Sequence, residues 1–254
     1  MRNNNITATV KDICRGNTIL RWGVINISRL KIITDTYIST SRFYSAPIDP
    51  FTVLEINTKE ITTFLTGAGR KYFKRSDSIP EICSGDWDER VVPLASTSFY
   101  IALRERVVYG QSWDKIEWIN ECRRTIQNGK PKFGCNNVED FRERLTALDK
   151  LSEKMAREGL HPQGRVAAQC SRVDFWDSRQ PLRPPENNEI VINFGRVGQH
   201  ILHEGRHRVA LAHLLDLPII PCRVKVRHTD WQELREDIAK GARVSVQHPD
   251  LYFG

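Results

Sequence analysis

The sequence predicts an α+β fold, in which a helical N-terminal and middle region packs on a small mixed β-sheet core with flanking helices. Three observations predict it. Helix-period apolar residues run through "STSFYIALRERVVYG", "WDKIEWINECRRTIQNG" and "NNVEDFRERLTALDKLSEKMAREG". After "RQPLRPPENN" the pattern changes to the strand-like runs "EIVINF", "HILHE" and "IIPCRVKVRH" around one helical stretch. The 254 residues, 40% hydrophobic and 27% charged, are enough to bury a core.

Residues 1–48 are rich in Asn, Thr and Ser and predict no particular element. They hold seven basic residues against two acidic ones, which is most of the chain's net charge of +7. Such an arm meets nucleic acid, nucleotide or an anionic surface, or is simply solvated. Pro47 and Pro50 mark a boundary, so the expected division is 1–48, a mainly helical region at 49–165, and a sheet-based domain at 166–254. "FTVLEIN" alternates as a strand does, and "TKEITTFL" is expected to be a short helix capped by Thr58. The next two helices stop at Gly110 and Gly129. The clearest helix carries Val138, Phe141, Leu145, Leu148, Leu151 and Met155 on one face, with Asn137 as cap and Gly159 as stop. Three prolines make "RQPLRPPENN" a surface loop. "EIVINF", the turn "GRVG" and "HILHE" form a hairpin. "GRHRVALAHLLDL" is a helix ending before Pro218, "IIPCRVKVRH" is a strand, and "TDWQELREDIAKG" is a last helix with Thr229 and Gln232 at capping-box spacing. No apolar run approaches the roughly eighteen residues of a membrane span, and the first thirty residues lack the apolar centre of a secretory signal. Six scattered cysteines without a C-x-x-C pair fit reduced thiols in a cytoplasmic protein.

The segment "HILHEGRHR" places strong positive charge where an apolar helix begins. On a wheel of about 100° per residue, Arg206, His213 and Asp216 share a narrow wet side, while His207 and Arg208 fall inside the apolar arc. A charge facing a core needs a partner. Cations are also unfavourable in a helix's first turn, where unpaired backbone N–H groups and the macrodipole already favour anions. Gly205 removes a side chain where a phosphate could approach the backbone. A bound phosphate satisfies all of this at once. The alternative is an internal pair between Arg208 and Glu204, or an acid of the helical region.

With these residues in place, "EIVINFGRVGQHILHEGRHRVALAHLLDLPIIPCRVKV" resembles the core of the ParB/sulfiredoxin superfamily over roughly residues 186–228. That resemblance implies a strand hairpin, a glycine-basic segment opening a helix, and a strand beginning near a proline. It also implies a nucleotide-phosphate site at Gly205, Arg206, His207 and Arg208, holding a nucleoside triphosphate such as CTP or ATP, with Mg²⁺. Arg206 stands where sulfiredoxin carries its reactive cysteine, so sulfinic acid reduction is not expected. The double-arginine box of partition proteins is incomplete and no helix-turn-helix follows, so chromosome partition is not expected either.

Other residues are candidates for the same pocket. Asp86 and Asp88 could hold Mg²⁺ and Trp87 could stack on a base, or the three could form an acidic surface turn anchored by the indole. Arg227 and His228 close a strand where sites often form. His203 could meet His207 across the turn, whereas His200 and His203 should face opposite sides of their strand, so no metal site is assigned. Glu204 is the first candidate for a general base or a metal contact, or it pairs with Arg206 or Arg208. Three readings follow. The chain is a nucleotide- or phosphate-binding protein, a reading compatible with phosphoryl transfer or nucleotide hydrolysis. It is a nucleic-acid-binding protein or nuclease that uses the basic arm. Or it is a non-catalytic interaction module.

Overall fold

A computed structural model describes residues 18–169 and 183–252. The first seventeen residues of the basic arm, Cys14 and Cys170, and the opening "RQPL" of "RQPLRPPENN" lie outside the described residues. Helix α1 (Thr18–Ser39) occupies the segment for which the sequence predicts no element. It buries Ile25, Ile32 and Thr36 on one side, while Ile27, Leu30 and Tyr37 stay exposed on the other. Apolar residues thus lie nearly all round this helix, and many are β-branched. No 3.6 period stands out, and propensity argues weakly for a helix. Arg29 ties α1 to the rest of the chain, donating to both carboxylate oxygens of Glu186 at 2.7 and 2.8 Å, with its guanidinium 4.4 Å from the centre of the Phe51 ring.

Strand β1 (Val53–Asn57) forms as its alternation predicts. The helix expected next does not form. Asn57, rather than Thr58, caps a single 3₁₀ turn by accepting the Lys59 N–H, and the chain enters β2 (Thr63–Leu65). Thr63 and Phe64 pair with strands on both sides, and those ladder bonds outweigh a local helix tendency. Then come α2 (Gly67–Arg70), β3 (Glu81–Cys83), a 3₁₀ turn over Asp86–Glu89, and β4 (Val91–Pro93). The helical region follows as α3 (Ser98–Val107), α4 (Glu117–Gln127) and α5 (Val138–Glu158). Asn137 caps α5 by accepting the Asp140 N–H at 2.8 Å, and Gly159 leaves it at φ 72°. After α6 (Gln163–Gln169) the predicted order appears: β5 (Ile190–Phe194), β6 (His200–Glu204), α7 (Arg206–Leu214), β7 (Ile219–His228) and α8 (Thr229–Ala239). The cap of α8 is not the predicted capping box. His228 Nδ1 accepts the Asp230 N–H at 3.2 Å.

The architecture is mixed α/β. Seven strands form one mixed sheet in the order β1-β7-β5-β6-β2-β4, with β3 parallel to the far end of β7. The hairpin β5–β6 is antiparallel, and β5 runs parallel to β7. Four strands come from residues 53–93, so the sheet crosses the boundary expected near residue 165. The region read as mainly helical supplies both edges of the core. Helices α3 and α7 cover the sheet through Phe99, Leu103, Val209 and Leu211, which pack on Ile192, Leu202, Cys222 and Val224. Helices α4 and α5 close over a second cluster built on Ile119, Ile126, Phe141, Leu145 and Leu148. Among the described residues, no helix is long and apolar enough to cross a membrane.

Candidate functional site

Gly205 ends β6 and caps α7 in a left-handed conformation, φ 86° and ψ 21°. A side chain there would be strained and crowded, because a Cβ would meet Ile190 Cγ1 at 3.0 Å and Ile190 Cα at 3.2 Å. Gly205→Ala is expected to cost roughly 1–3 kcal/mol in a urea unfolding titration. A loss below about 0.5 kcal/mol would mean the turn relaxes without strain.

In front of this turn lies a cleft of about 730 Å³, walled by α5, α6, the Pro185–Asn188 turn, β2, α2 and the start of α7. Gly205, Arg206, His207 and Arg208, the residues read from the sequence as a phosphate site, all line it. So do Arg70, Arg144 and Lys154, set against Glu158, Glu189 and Glu204. Five full cations thus face three carboxylates around a helix N-terminus that itself favours anions. The field is evident at His207, whose pKa is driven down to about 3 by burial and by Arg206, Arg144 and Arg208. It is a neutral imidazole at physiological pH.

The structure corrects the placement of Arg206. The helical wheel puts it on the wet side, yet its guanidinium lies 5.0 Å from the centre of the Phe99 ring and 5.2 Å from that of Phe133. Phe133 reaches it from a turn in which its own φ is 53°. A wheel treats the helix as isolated, and here α3 and the residue-133 turn cover its first turn. Burial, and then Arg70, lower the pKa of Arg206. His213 is likewise partly covered, its Nε2 lying 2.7 Å from the Thr58 carbonyl.

The carboxylates differ in their environments. Glu204 is exposed and pairs with Arg70 at 3.7 Å, not with Arg208. Glu189 is buried at 2% exposure and accepts the Gln163 N–H. Burial raises its pKa to about 7 against the opposing pull of that hydrogen bond and of Arg208. An acid whose folded pKa is raised loses stability as pH climbs from its unfolded value to its folded one. Unfolding free energy should therefore fall by up to about 3 kcal/mol between pH 4.5 and 7 through this group. Glu189→Gln should flatten that decline and stabilise the protein at pH 8. An unchanged pH profile of denaturant midpoints would refute it.

Other predicted pocket residues lie elsewhere. Trp87 is fully buried and its indole N–H donates to the Cys83 carbonyl at 3.0 Å, so its ring has no face for a base. Asp86 and Asp88 both hold Arg196, at 2.9 and 2.8 Å. Arg227 makes a buried two-point pair with Asp250, and His228 Nε2 lies 3.1 Å from the Gly85 carbonyl. None of these five lines the cleft. His203 does, and it is buried. Its side chain, with Asp77 and Glu204, brings three donor atoms within 4.8 Å of one another. The imidazole lone pair is nevertheless committed. Asn193 Oδ1 accepts the Val226 N–H, which turns its Nδ2 toward His203 Nδ1 at 3.4 Å. The Asn193 contact assigns the ring proton to Nε2, which lies 3.4 Å from Asp77 Oδ1 and 3.5 Å from Arg70 Nη1. Only the two carboxylates remain for a cation, which suits an oxygen-seeking Mg²⁺ and not zinc.

Compared with known family models, curated proteins and solved structures, the chain matches none.

Proposed function

We propose that the chain binds a phosphorylated ligand, and specifically a nucleoside triphosphate, in the cleft at Gly205–Arg208, in the manner of a ParB/sulfiredoxin-type domain. One observation carries the reading. An open cavity meets the N-terminus of α7 at a left-handed glycine, and its wall carries Arg70, Arg144, Lys154, Arg206 and Arg208. Backbone N–H groups and converging guanidiniums are the chemistry of phosphate recognition. Arg206 lies against the faces of Phe99 and Phe133, and among the described residues it pairs with no acid. The order hairpin, helix, strand supports the superfamily reading. The absence of a cysteine at position 206 argues against thiol chemistry.

If Mg²⁺ arrives with the triphosphate, Asp77 and Glu204 are the carboxylates beside the turn that would hold it, and it would neutralise phosphate charge there. Where no metal takes it, Glu204, exposed at the cleft, is the candidate base for hydrolysis or phosphoryl transfer. Titration calorimetry with ATP, CTP and GTP, with and without Mg²⁺, tests the reading. Binding that weakens as salt rises is expected. No heat for any nucleotide up to millimolar concentration would overturn it.

A further inference from the structure

Helix α1 carries a second apolar face that is open to solvent. Ile25, Ile32 and Thr36 turn inward, whereas Trp22, Ile27, Leu30, Ile33, Tyr37 and Ile38 are between 43% and 69% exposed. These six side chains present on the order of 700 Å², against roughly 300–600 Å² for the largest apolar patch of an ordinary monomer and about 800 Å² given up by each partner in a standard interface. The face is ordered. Gly23, Ile27, Leu30, Thr34 and Tyr37 follow one another at steps of four and three, the spacing of a helix–helix seam. Gly23 leaves room for a close approach, since nothing outside the backbone of α1 lies within 4 Å of where its Cβ would stand. Of the charged residues of α1, only Lys31 borders the seam. Arg21 and Asp35 lie more than a quarter-turn away by helical period, and Arg29 is held by Glu186. An anionic bilayer is drawn by rows of Lys and Arg beside an apolar face, and one lysine makes no row. A second copy of the same face needs the opposite, a surface without like charges to confront.

We infer that two copies of the chain associate as a two-fold dimer through an antiparallel pair of α1 helices. About the middle of the seam, Ile27 of one copy meets the partner's Leu30, and Gly23 meets the partner's Thr34. Large residues then pack on large ones, and the two smallest share a layer. Lys31 stands opposite the partner's Asn26, whereas a parallel pair would set it against another lysine. The pairing is independent of which ligand the cleft takes.

Analytical ultracentrifugation of the full chain across micromolar concentrations tests this, and a species of twice the single-chain mass is expected. Leu30→Glu places an unpaired charge in the seam of each copy and should weaken association about 100-fold or more. Leu30 is 64% exposed in the single chain, so the thermal midpoint should hold at concentrations where the parent chain is monomeric. Under mild air oxidation, Gly23→Cys mixed with Thr34→Cys should give a disulfide joining the two variants, above the background that the native thiols give in the unmodified chain. A chain that stays monomeric to the hundred-micromolar range overturns the inference, as does a dimer that Leu30→Glu leaves intact. Monomers that sediment with phosphatidylserine vesicles would overturn it too and assign the face to lipid. Cross-links formed by either cysteine variant alone would overturn the antiparallel pairing. Should Leu30→Glu fail to fold, the mixed cross-link decides.

Discussion

Asp250→Asn is expected to lower the thermal midpoint by roughly 6–20 °C. Asp250 is 4% exposed and sits among two buried arginines and an indole. Its carboxylate takes two bonds from Arg227 at 2.5 and 2.8 Å, one from Trp231 at 3.0 Å, and lies 3.2 Å from Arg235 Nε. Burial alone would raise its pKa. Arg227, Arg235 and the Trp231 hydrogen bond override that and hold it below the usual carboxylate range. Burial and the neighbouring Arg227 already pull Arg235 down to about 10. Removing the anion leaves both guanidiniums buried against each other, which costs about 3–5 kcal/mol. The pH dependence follows from the depressed pKa. The Asp250 contribution is present above the unfolded carboxylate value and is lost as pH falls through the folded one. Acid should therefore destabilise the parent protein more than the variant. A midpoint shift under about 2 °C would show that this network does not hold β7 to α8 and the chain's last turn.

The second large effect concerns ligand rather than stability. Arg208→Ala should weaken triphosphate binding about 10- to 100-fold, since a charge-assisted contact to phosphate contributes about 1.5–3 kcal/mol. Lost binding with an unmoved thermal midpoint supports a ligand role for Arg208. Arg208 stands in a cluster of like charges with Arg206 and Arg144, whose joint action is seen in the depressed His207. Its removal relieves repulsion while weakening the field on Glu189, whose pKa should rise further. Thermal melts and calorimetry on the same sample separate the two outcomes. A variant that unfolds early yet binds normally when folded would mean that Arg208 serves internal pairing, and would favour the interaction-module reading.

Much of the C-terminal half was legible before any coordinates. The hairpin, the Gly205 turn, α7 and β7 each carry a local signal: alternation, a glycine between strand and helix, and a proline after the last turn. Helix α5 was legible for the same reason, with its apolar residues at three- and four-residue steps and a cap at each end. The same wheel held an unused clue. Arg144 falls inside the apolar arc of α5, between Leu148 and Leu151, and it emerges in the cleft beside Arg208. A cation at an apolar position marks the site on both helices. Arg70 and Glu189 had no such mark. One ends a four-residue helix and the other follows a proline turn, and neither sits in a periodic run.

What failed to appear in the sequence failed for a common reason. Arg223 and Lys225 alternate with apolar residues along β7 as a solvated face would, yet both are buried. Arg223 donates to the Asp77 carbonyl, and the Lys225 ammonium is wrapped by the carbonyls of Ser76 and Ile79 at 2.8 and 2.6 Å. Burial, opposed by Glu81 and Asp77, lowers the pKa of Lys225 to about 8. A loop 150 residues away in the chain covers that face. Likewise the spacing of Asp86 and Asp88 and the strand-end position of Arg227 and His228 suggest pocket residues, and each is held by a distant partner in the tertiary fold.

The sequence by itself determined the local elements and the cationic turn at Gly205, because backbone conformation and amphipathic period are set by residues within a few positions of one another. Only the tertiary structure decided which charges face an open cleft and which are spent in the core. That choice depends on pairings between residues far apart in the chain, and no short-range pattern records them.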